Sequence, residues 1–254
     1  MRRVRVIPVL LLSEGGMVKT KGFAKPQYMG DPINAVKIFN EKQADELALL
    51  DIEATARSRI DFAWIEDIVS EAFMPIAYGG GIISVDQAAE LFSRGVEKII
   101  LNTAACESPQ LIGQIAGRFG AQSVVVSIDA RRNFWKRWKA YVRGGRKETR
   151  FAPAELAQAS EALGAGEIML TNIEREGAFA GYDLDLVKSV ASAVKVPVIV
   201  NGGAGTLAHF APAVEAGASA VAAGSMFVFA GKGQGMLISY PPQTELREQF
   251  WNRI

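Results

Sequence analysis

Eight short apolar runs alternate with helix-like stretches along the chain, and this alternation constrains the fold more than any other property of the sequence. The runs read as strands at Val4–Leu12, Glu46–Asp51, Pro75–Tyr78, Lys98–Leu101, Ser123–Asp129, Glu167–Asn172, Pro197–Asn201 and Ala218–Gly224. Their nearly unbroken hydrophobicity marks strands covered on both faces, because a strand with one wet side would alternate apolar and polar residues. Amphipathic stretches lie between them near Asp31–Gln43, Asp61–Glu71, Val85–Arg94, Pro109–Phe119, Pro153–Leu163, Leu184–Val194 and Thr206–Ala216, with a last one near Glu245–Asn252. Eight such units in 254 residues predict an α/β fold, a single (β/α)8 TIM barrel, more readily than an open doubly wound sheet. With 49% apolar residues the chain can bury a core of that size.

The barrel is expected to be two fused halves, roughly residues 1–122 and 123–254, because the sequence repeats itself. At an offset of 122, Pro75-Ile-Ala-Tyr-Gly-Gly-Gly corresponds to Pro197-Val-Ile-Val-Asn-Gly-Gly, and Gly95-Val-Glu-Lys-Ile-Ile-Leu-Asn-Thr to Gly217-Ala-Ser-Ala-Val-Ala-Ala-Gly-Ser. Ala44-Asp-Glu-Leu corresponds to Ala165-Gly-Glu-Ile at 121. One position breaks the pattern: Asp129 ends the fifth run, and its counterpart at the end of the first is Leu11.

Two residue sets follow strands on the face where barrels hold their ligands: Gly80-Gly81 with Asn102-Thr103, and Gly202-Gly203 with Gly224-Ser225. Backbone N–H groups in Gly-rich turns approach a phosphate without Cβ interference, and Thr or Ser adds a hydroxyl donor. The doubled set predicts a phosphorylated small-molecule ligand with two phosphate-like ends, or a symmetry inherited and half used. At the opposite end, Arg5, Glu46, Lys98 and Glu167 stand at or near strand starts, which converge on the barrel bottom. Spacing leaves two outcomes open, a salt-bridged ring or four charges pointing separately into solvent.

Lys plus Arg total 28 against 27 acids, so no global field attracts nucleic acid or anionic lipid, although a local patch is compatible with the balance. No apolar run approaches the ~20 residues of a membrane span and no cleavable leader is evident, so a soluble cytoplasmic protein without a membrane partner is expected. The lone Cys106 reads as a small buried residue in a reducing compartment. His209, at a helix start, reads as structural; no Cys or His cluster predicts a metal, and no cofactor is expected. The run from Arg131 to Arg143 interleaves cations with aromatics, as single-strand nucleic-acid binders do. After the fifth strand it is expected to form a hairpin instead, with aromatics packed on the rim and cations solvated.

Nearly the whole chain resembles the cyclase subunit of imidazole glycerol phosphate synthase. The resemblance rests on Asp129 after Val-Val-Val-Ser-Ile, Gly79-Gly-Gly, Leu101-Asn-Thr-Ala-Ala, Gly164-Ala-Gly-Glu-Ile-Met-Leu-Thr, Gly181-Tyr-Asp-Leu and Gly202-Gly-Ala-Gly-Thr-Leu. It implies a glutamine amidotransferase partner whose ammonia enters the barrel bottom through a charged gate, here Arg5, Glu46, Lys98 and Glu167. Asp45, Glu97 and Gln122 beside that gate are then candidates to face the partner. Gly177 joins the phosphate-binding set, while Lys19, Asp51, Thr171 and Glu176 belong to the substrate loops. The family's acid and base are two aspartates; Asp129 matches one, and Leu11 occupies the place of the other.

Leucine has no proton to exchange, so a cyclase relying on that acid would lose about 10²–10⁴ in rate. Glu14, in the glycine-flanked turn three residues on, is expected to be solvated rather than a substitute. Glu174 and Glu176 stand where aspartates are usual, Ala178 where Thr is, and Val228 where His is common. Pro8-Val-Leu-Leu-Leu, Gly16-Met-Val-Lys-Thr and Gly231-Lys-Gly…Leu237-Ile-Ser-Tyr-Pro resemble a branch linked to surface polysaccharides. There the barrel supplies ammonia to a sugar amidotransferase that builds an acetamidino group. An authentic histidine-pathway cyclase and a non-catalytic scaffold for the glutaminase are the alternatives.

Overall fold

A computed structural model of the chain describes residues 3–229 and 235–254. Eight strands form a closed parallel ring: β1 (Arg5–Ser13), β2 (Leu47–Asp51), β3 (Ile76–Gly79), β4 (Lys98–Leu101), β5 (Val124–Arg132), β6 (Glu167–Asn172), β7 (Val198–Asn201) and β8 (Ala220–Ala223). Each pairs with the next, and β8 closes on β1 with Arg5 opposite Ala220. Between them run α1 (Pro32–Glu41), α2 (Phe62–Ser70), α3 (Val85–Ser93), α4 (Gln110–Phe119), α5 (Pro153–Ala162), α6 (Leu184–Ala191) and α7 (Phe210–Glu215), and α8 (Gln243–Gln249) follows β8. This is the TIM barrel that the alternating pattern predicts.

Helix starts are written in the sequence as caps. Asp31, Asp61, Ser84 and Asp183 accept hydrogen bonds from backbone N–H groups in the first turns of α1, α2, α3 and α6, occupying donors that have no partner within the helix. Only α7 starts clearly later than expected. Thr206 is extended, Leu207–His209 is a 3₁₀ turn, and Pro212 is accommodated in the first α turn, where its missing N–H breaks no bond.

Both strand faces are covered, as the apolar runs require. On β1, Val6, Leu10 and Leu12 join the layer between sheet and helices, with Phe39, Ile68, Leu91, Ile115 and Val190. Ile7, Val9 and Leu11 point inward to a separate cluster with Ala48, Ala77, Ile100, Val125, Met169, Ile199, Ala220 and Ala222. The C-terminal segment secures the outside of β1, where Tyr240 and Trp251 donate to the carbonyls of Val6 and Val4 at 3.0 and 2.9 Å.

Two excursions interrupt the simple alternation at equivalent points of the halves. After β1, strands Gly16–Lys21 and Ala24–Gly30 form an unexpected hairpin, with Val18 opposite Leu11. After Asp129, β5 does not end but continues to Arg132 and pairs with Trp138–Val142, placing Tyr141 opposite Asp129. This second hairpin is the expected one. Its aromatics divide, however: Tyr141 is buried, while Phe134 and Trp135 at the tip are exposed instead of packing on the rim. Its cations are also not all simply solvated, since Arg131 and Arg132 lie over the rings of Tyr141 and Trp138. The Gly231-Lys-Gly segment lies outside the described residues. Among those described, no helix is long and apolar enough to cross a membrane.

Candidate functional site

The four charges at the bottom meet. Arg5 donates to Glu46 at 2.5 Å and to Glu167 at 2.7 Å, while Lys98 reaches Glu46 at 3.0 Å and Glu167 at 3.2 Å. Each acid therefore bridges both cations, closing a ring of alternating sign. Burial alone would lower the Arg5 pKa, but the two carboxylates together outweigh it and raise it. Directly inside lies the interior cluster, with alanines at 48, 77, 220 and 222.

Of the three residues expected to face a partner here, Glu97 and Gln122 are exposed. Asp45 is half-buried. Its carboxylate is turned into the chain, accepting from Val6 N–H at 3.0 Å and from the Arg3 guanidinium at 2.5 Å, because the unpaired amide at the start of β1 needs an acceptor.

At the top a cavity of about 680 Å³ is lined by Asp129, Leu11, both glycine–hydroxyl sets, Gly177, Lys19, Asp51, Thr171 and Glu176, but not by Glu174, Ala178 or Val228. Loop glycines build its walls because other backbone lies against them. At Gly80, with φ +139°, a Cβ would sit 2.5 Å from the Asp51 carbonyl oxygen; at Gly203, with φ +120°, it would sit 2.3 Å from that of Gly181. Around the first glycine pair, Asn102 Nδ2 donates to the Ser127 carbonyl and to Asp129, and Thr103 Oγ1 accepts from Arg143 N–H. Around the second, Ser225 Oγ is buried with no partner among the described residues. A buried hydroxyl without a partner is uncommon, and this one faces the cavity. Lys19, from the hairpin strand Gly16–Lys21, reaches the same spot: its Nζ would lie 2.0 Å from a Cβ added to Gly224.

Asp129 lies on the inward face of β5, buried, with Asn102 Nδ2 at 3.2 Å and Ser127 Oγ at 3.5 Å from its oxygens. Burial pushes its pKa up to about 7, only partly opposed by the Ser127 hydrogen bond. Leu11 occupies the equivalent place in the other half. It pairs with Leu50 across β1–β2 as Asp129 pairs with Thr171 across β5–β6, and each also faces a hairpin strand. Lys19 is a buried base in the same cavity: burial lowers it to about 8, with Glu176 pulling the other way, and its Nζ donates to Val9 O at 3.1 Å.

Two of the loop acids are occupied. Asp51 accepts from the N–H groups of Glu53 and Ala54 and from Arg57, so it fixes the turn behind Gly80. Glu176 accepts from Thr20 Oγ1 at 3.0 Å and Phe23 N–H at 3.2 Å, and its carbonyl receives Gly22 N–H. It thereby clasps the first hairpin and buries Lys19. Neither this clasp nor the Asp51–Arg57 pair is legible in the sequence, since both depend on loop conformations that periodicity does not encode.

Glu14 is exposed in a left-handed turn, and His209 Nδ1 accepts from Gly205 N–H at 3.0 Å, a structural role. Cys106 is half-buried rather than fully buried, and burial pushes its thiol up to about 11, so it stays protonated. Among the described residues, no group of three or more His, Cys, Asp or Glu could hold a metal.

Fold and site together define a TIM barrel with a closed charge ring at one mouth and a glycine-walled polar cavity, lined by the buried acids Asp51, Asp129 and Glu176, at the other. A family profile described as "Histidine biosynthesis protein" matches residues 5–233. The chain is 50% identical over 248 residues to a Pseudomonas aeruginosa protein provisionally named imidazole glycerol phosphate synthase subunit hisF2, covering 97% of this chain and 99% of that one. A Vibrio vulnificus protein, provisionally named subunit hisF3, is 46% identical over 254 residues, covering 98% and 96%. The imidazole glycerol phosphate synthase subunit HisF of Streptomyces coelicolor is 42% identical over 227 residues, covering 89% and 90%. The chain belongs to the HisF family of imidazole glycerol phosphate synthase subunits.

Proposed function

We propose that the chain receives ammonia from a glutamine amidotransferase docked at the barrel bottom and passes it through the Arg5–Glu46–Lys98–Glu167 ring to the upper cavity. There it supplies the amidination of a surface-polysaccharide sugar by an acceptor enzyme, with little or no imidazole formation of its own. The observation that carries this reading is the contrast between the two ends. The charge ring is complete, while the cavity holds Leu11 at the place equivalent to Asp129. Ring formation needs an acid and a base in concert, and one carboxyl group cannot serve as both at once.

A sheltered route has a physical purpose, since ammonia in neutral water is mostly the non-nucleophilic ammonium ion. The alanines above the ring leave an apolar interior that suits the neutral molecule. The relatives numbered hisF2 and hisF3 support an additional-copy role beside a histidine-pathway subunit. The glycine pairs, Gly177, Asn102, Thr103, Ser225 and Lys19 are assigned to anionic groups of a ligand; the buried Ser225 hydroxyl and the nearby Lys19 ammonium are suitable donors.

One observation favours the alternative of an authentic cyclase. Lys19 is buried in the cavity with a pKa near 8 and could stand in for the missing acid. Turnover of a substrate with two phosphate ends, the ligand the doubled glycine sets predict for a cyclase, by the isolated chain with ammonium salt separates the two. Rates typical of the histidine-pathway enzyme would overturn the proposal, and loss of about 10²-fold or more supports it. Lys98→Ala should uncouple glutamine hydrolysis from acceptor product; unchanged coupling would remove the ring from the ammonia path and favour a scaffold.

A further inference from the structure

The hairpin that extends β5 ends in a braced aromatic tip. Asn133 Oδ1 accepts from the N–H groups of Trp135 and Arg137, both at 3.1 Å, and Asn133 N–H donates to the Arg137 carbonyl at 2.9 Å. Phe134 and Trp135 meet edge to face with ring centroids 5.8 Å apart, yet are 89% and 73% exposed. Beneath them the Arg132 guanidinium stacks on Trp138 at 4.8 Å and that of Arg131 on Tyr141 at 4.2 Å. Residues 131–150 hold nine Lys or Arg and one acid, Glu148, in a chain whose formal net charge is +1. The near-neutral total thus averages a basic finger against an acidic remainder. The same excursion borders the upper cavity: Arg143, Gly144 and Arg146 line it, and Arg143 N–H is fixed to Thr103 Oγ1.

We propose that this finger docks an acidic protein over the cavity mouth, with Phe134 and Trp135 entering an apolar pocket rimmed by carboxylates. The partner is the enzyme that consumes the ammonia, and to that extent the proposal rests on the function proposed above. Three observations converge on it. Aromatics held rigid before binding lose little side-chain freedom, and Trp and Arg dominate interface hot spots. The surrounding cations select a carboxylate-rich surface and speed encounter with it. The place beside the mouth gives the contact a use, because ammonia released into open water is protonated, so its acceptor must cover the exit. An anionic bilayer would satisfy the charge and the aromatics but not their position, and it enters as an outcome of the test.

The experiment combines the full chain, its glutaminase and the sugar amidotransferase. It compares wild type with Phe134→Ala/Trp135→Ala and with Lys136→Glu/Arg137→Glu, all exposed positions outside the cavity lining. Co-elution of the acceptor with wild-type chain on size exclusion, lost in both variants, is expected. Glutamine-driven amidination should fall about tenfold or more, while glutamine hydrolysis and amidination fed by ammonium chloride stay unchanged. Failure of the acceptor to co-elute with wild type, or co-elution undiminished in both variants, overturns the docking site. Co-elution without any glutamine-driven product leaves the docking site standing and sinks the ammonia-supply function instead. Sedimentation of wild type with phosphatidylserine–phosphatidylcholine vesicles, lost in the variants while acceptor co-elution persists, would assign the finger to a membrane and overturn the proposal.

Discussion

Asp129 is kept where its charge is hard to sustain, and that has a measurable consequence. Its folded pKa of about 7 lies above the ordinary aspartate value of 3.8, so between those limits the native protein holds a proton that the unfolded chain releases. Stability from this group is therefore fully present below about pH 4 and falls as pH rises towards 7. Asp129→Asn should stabilise the fold at pH 8 by on the order of 2–4 kcal/mol and leave it unchanged near pH 4, measured by denaturant titration at the two pH values. An equal effect at both would mean the carboxyl group is not held protonated. Leu11→Asp probes the equivalent site in the other half. It removes a side chain from the interior cluster and buries a carboxyl group, so a loss of about 2–4 kcal/mol is expected. If the missing acid is all that prevents ring closure, ammonium-driven cyclisation should rise at least about tenfold over wild type. No gain would mean that the surrounding loops, with Glu174 and Ala178 among them, no longer hold the substrate.

At the level of elements, the Glu176 clasp decides whether the first hairpin stays over the cavity. Its carboxylate carries the contacts to Thr20 and Phe23, so Glu176→Ala should speed amide exchange at Phe23 by about tenfold or more while the barrel strands keep their protection. Unchanged exchange would place the closing force elsewhere in the hairpin. This element was also the least legible one. The eight barrel strands were readable because helices cover one face and the interior the other, which leaves continuous apolar runs such as Val124–Ile128. Gly16–Lys21 and Ala24–Gly30 lack such a run, and their pairing depends on β1 continuing past the barrel rim. The short helices Ala54–Arg57, Thr103–Glu107 and Ser225–Val228 are likewise too brief for a 3.6-residue period to register. The residues that line the cavity were more legible, because glycines and hydroxyls following strands are local signals; the inward turn of Asp45 was not, because it is set by Arg3 and the Val6 amide, distant in sequence.

For the molecule as a whole, the repeat predicts two seams along which the chain would divide into halves. Between β4 and β5, Ile99, Ile100 and Leu101 pair with Val124, Val125 and Val126; between β8 and β1, Arg5 to Pro8 pair with Ala220 to Ala223. Cutting near residue 122 opens both seams at once and leaves each half as a four-stranded parallel sheet with two bare edges and an uncovered interior face. Such edges recruit other strands, so either half alone should aggregate or self-associate. Expressed together, the halves should form a one-to-one complex that co-elutes at the mass of the intact chain, because each edge then meets the partner it has in the native barrel. The charge ring adds specificity to that pairing, since Arg5, Glu46 and Lys98 come from the first half and Glu167 from the second. Glu167→Gln leaves both cations facing Glu46 alone, and should weaken the complex of halves at low salt more than at high salt, as screening removes the contribution of the lost charge. A complex insensitive to this change would show that the strand seams carry the association, with the ring serving only the passage through the barrel.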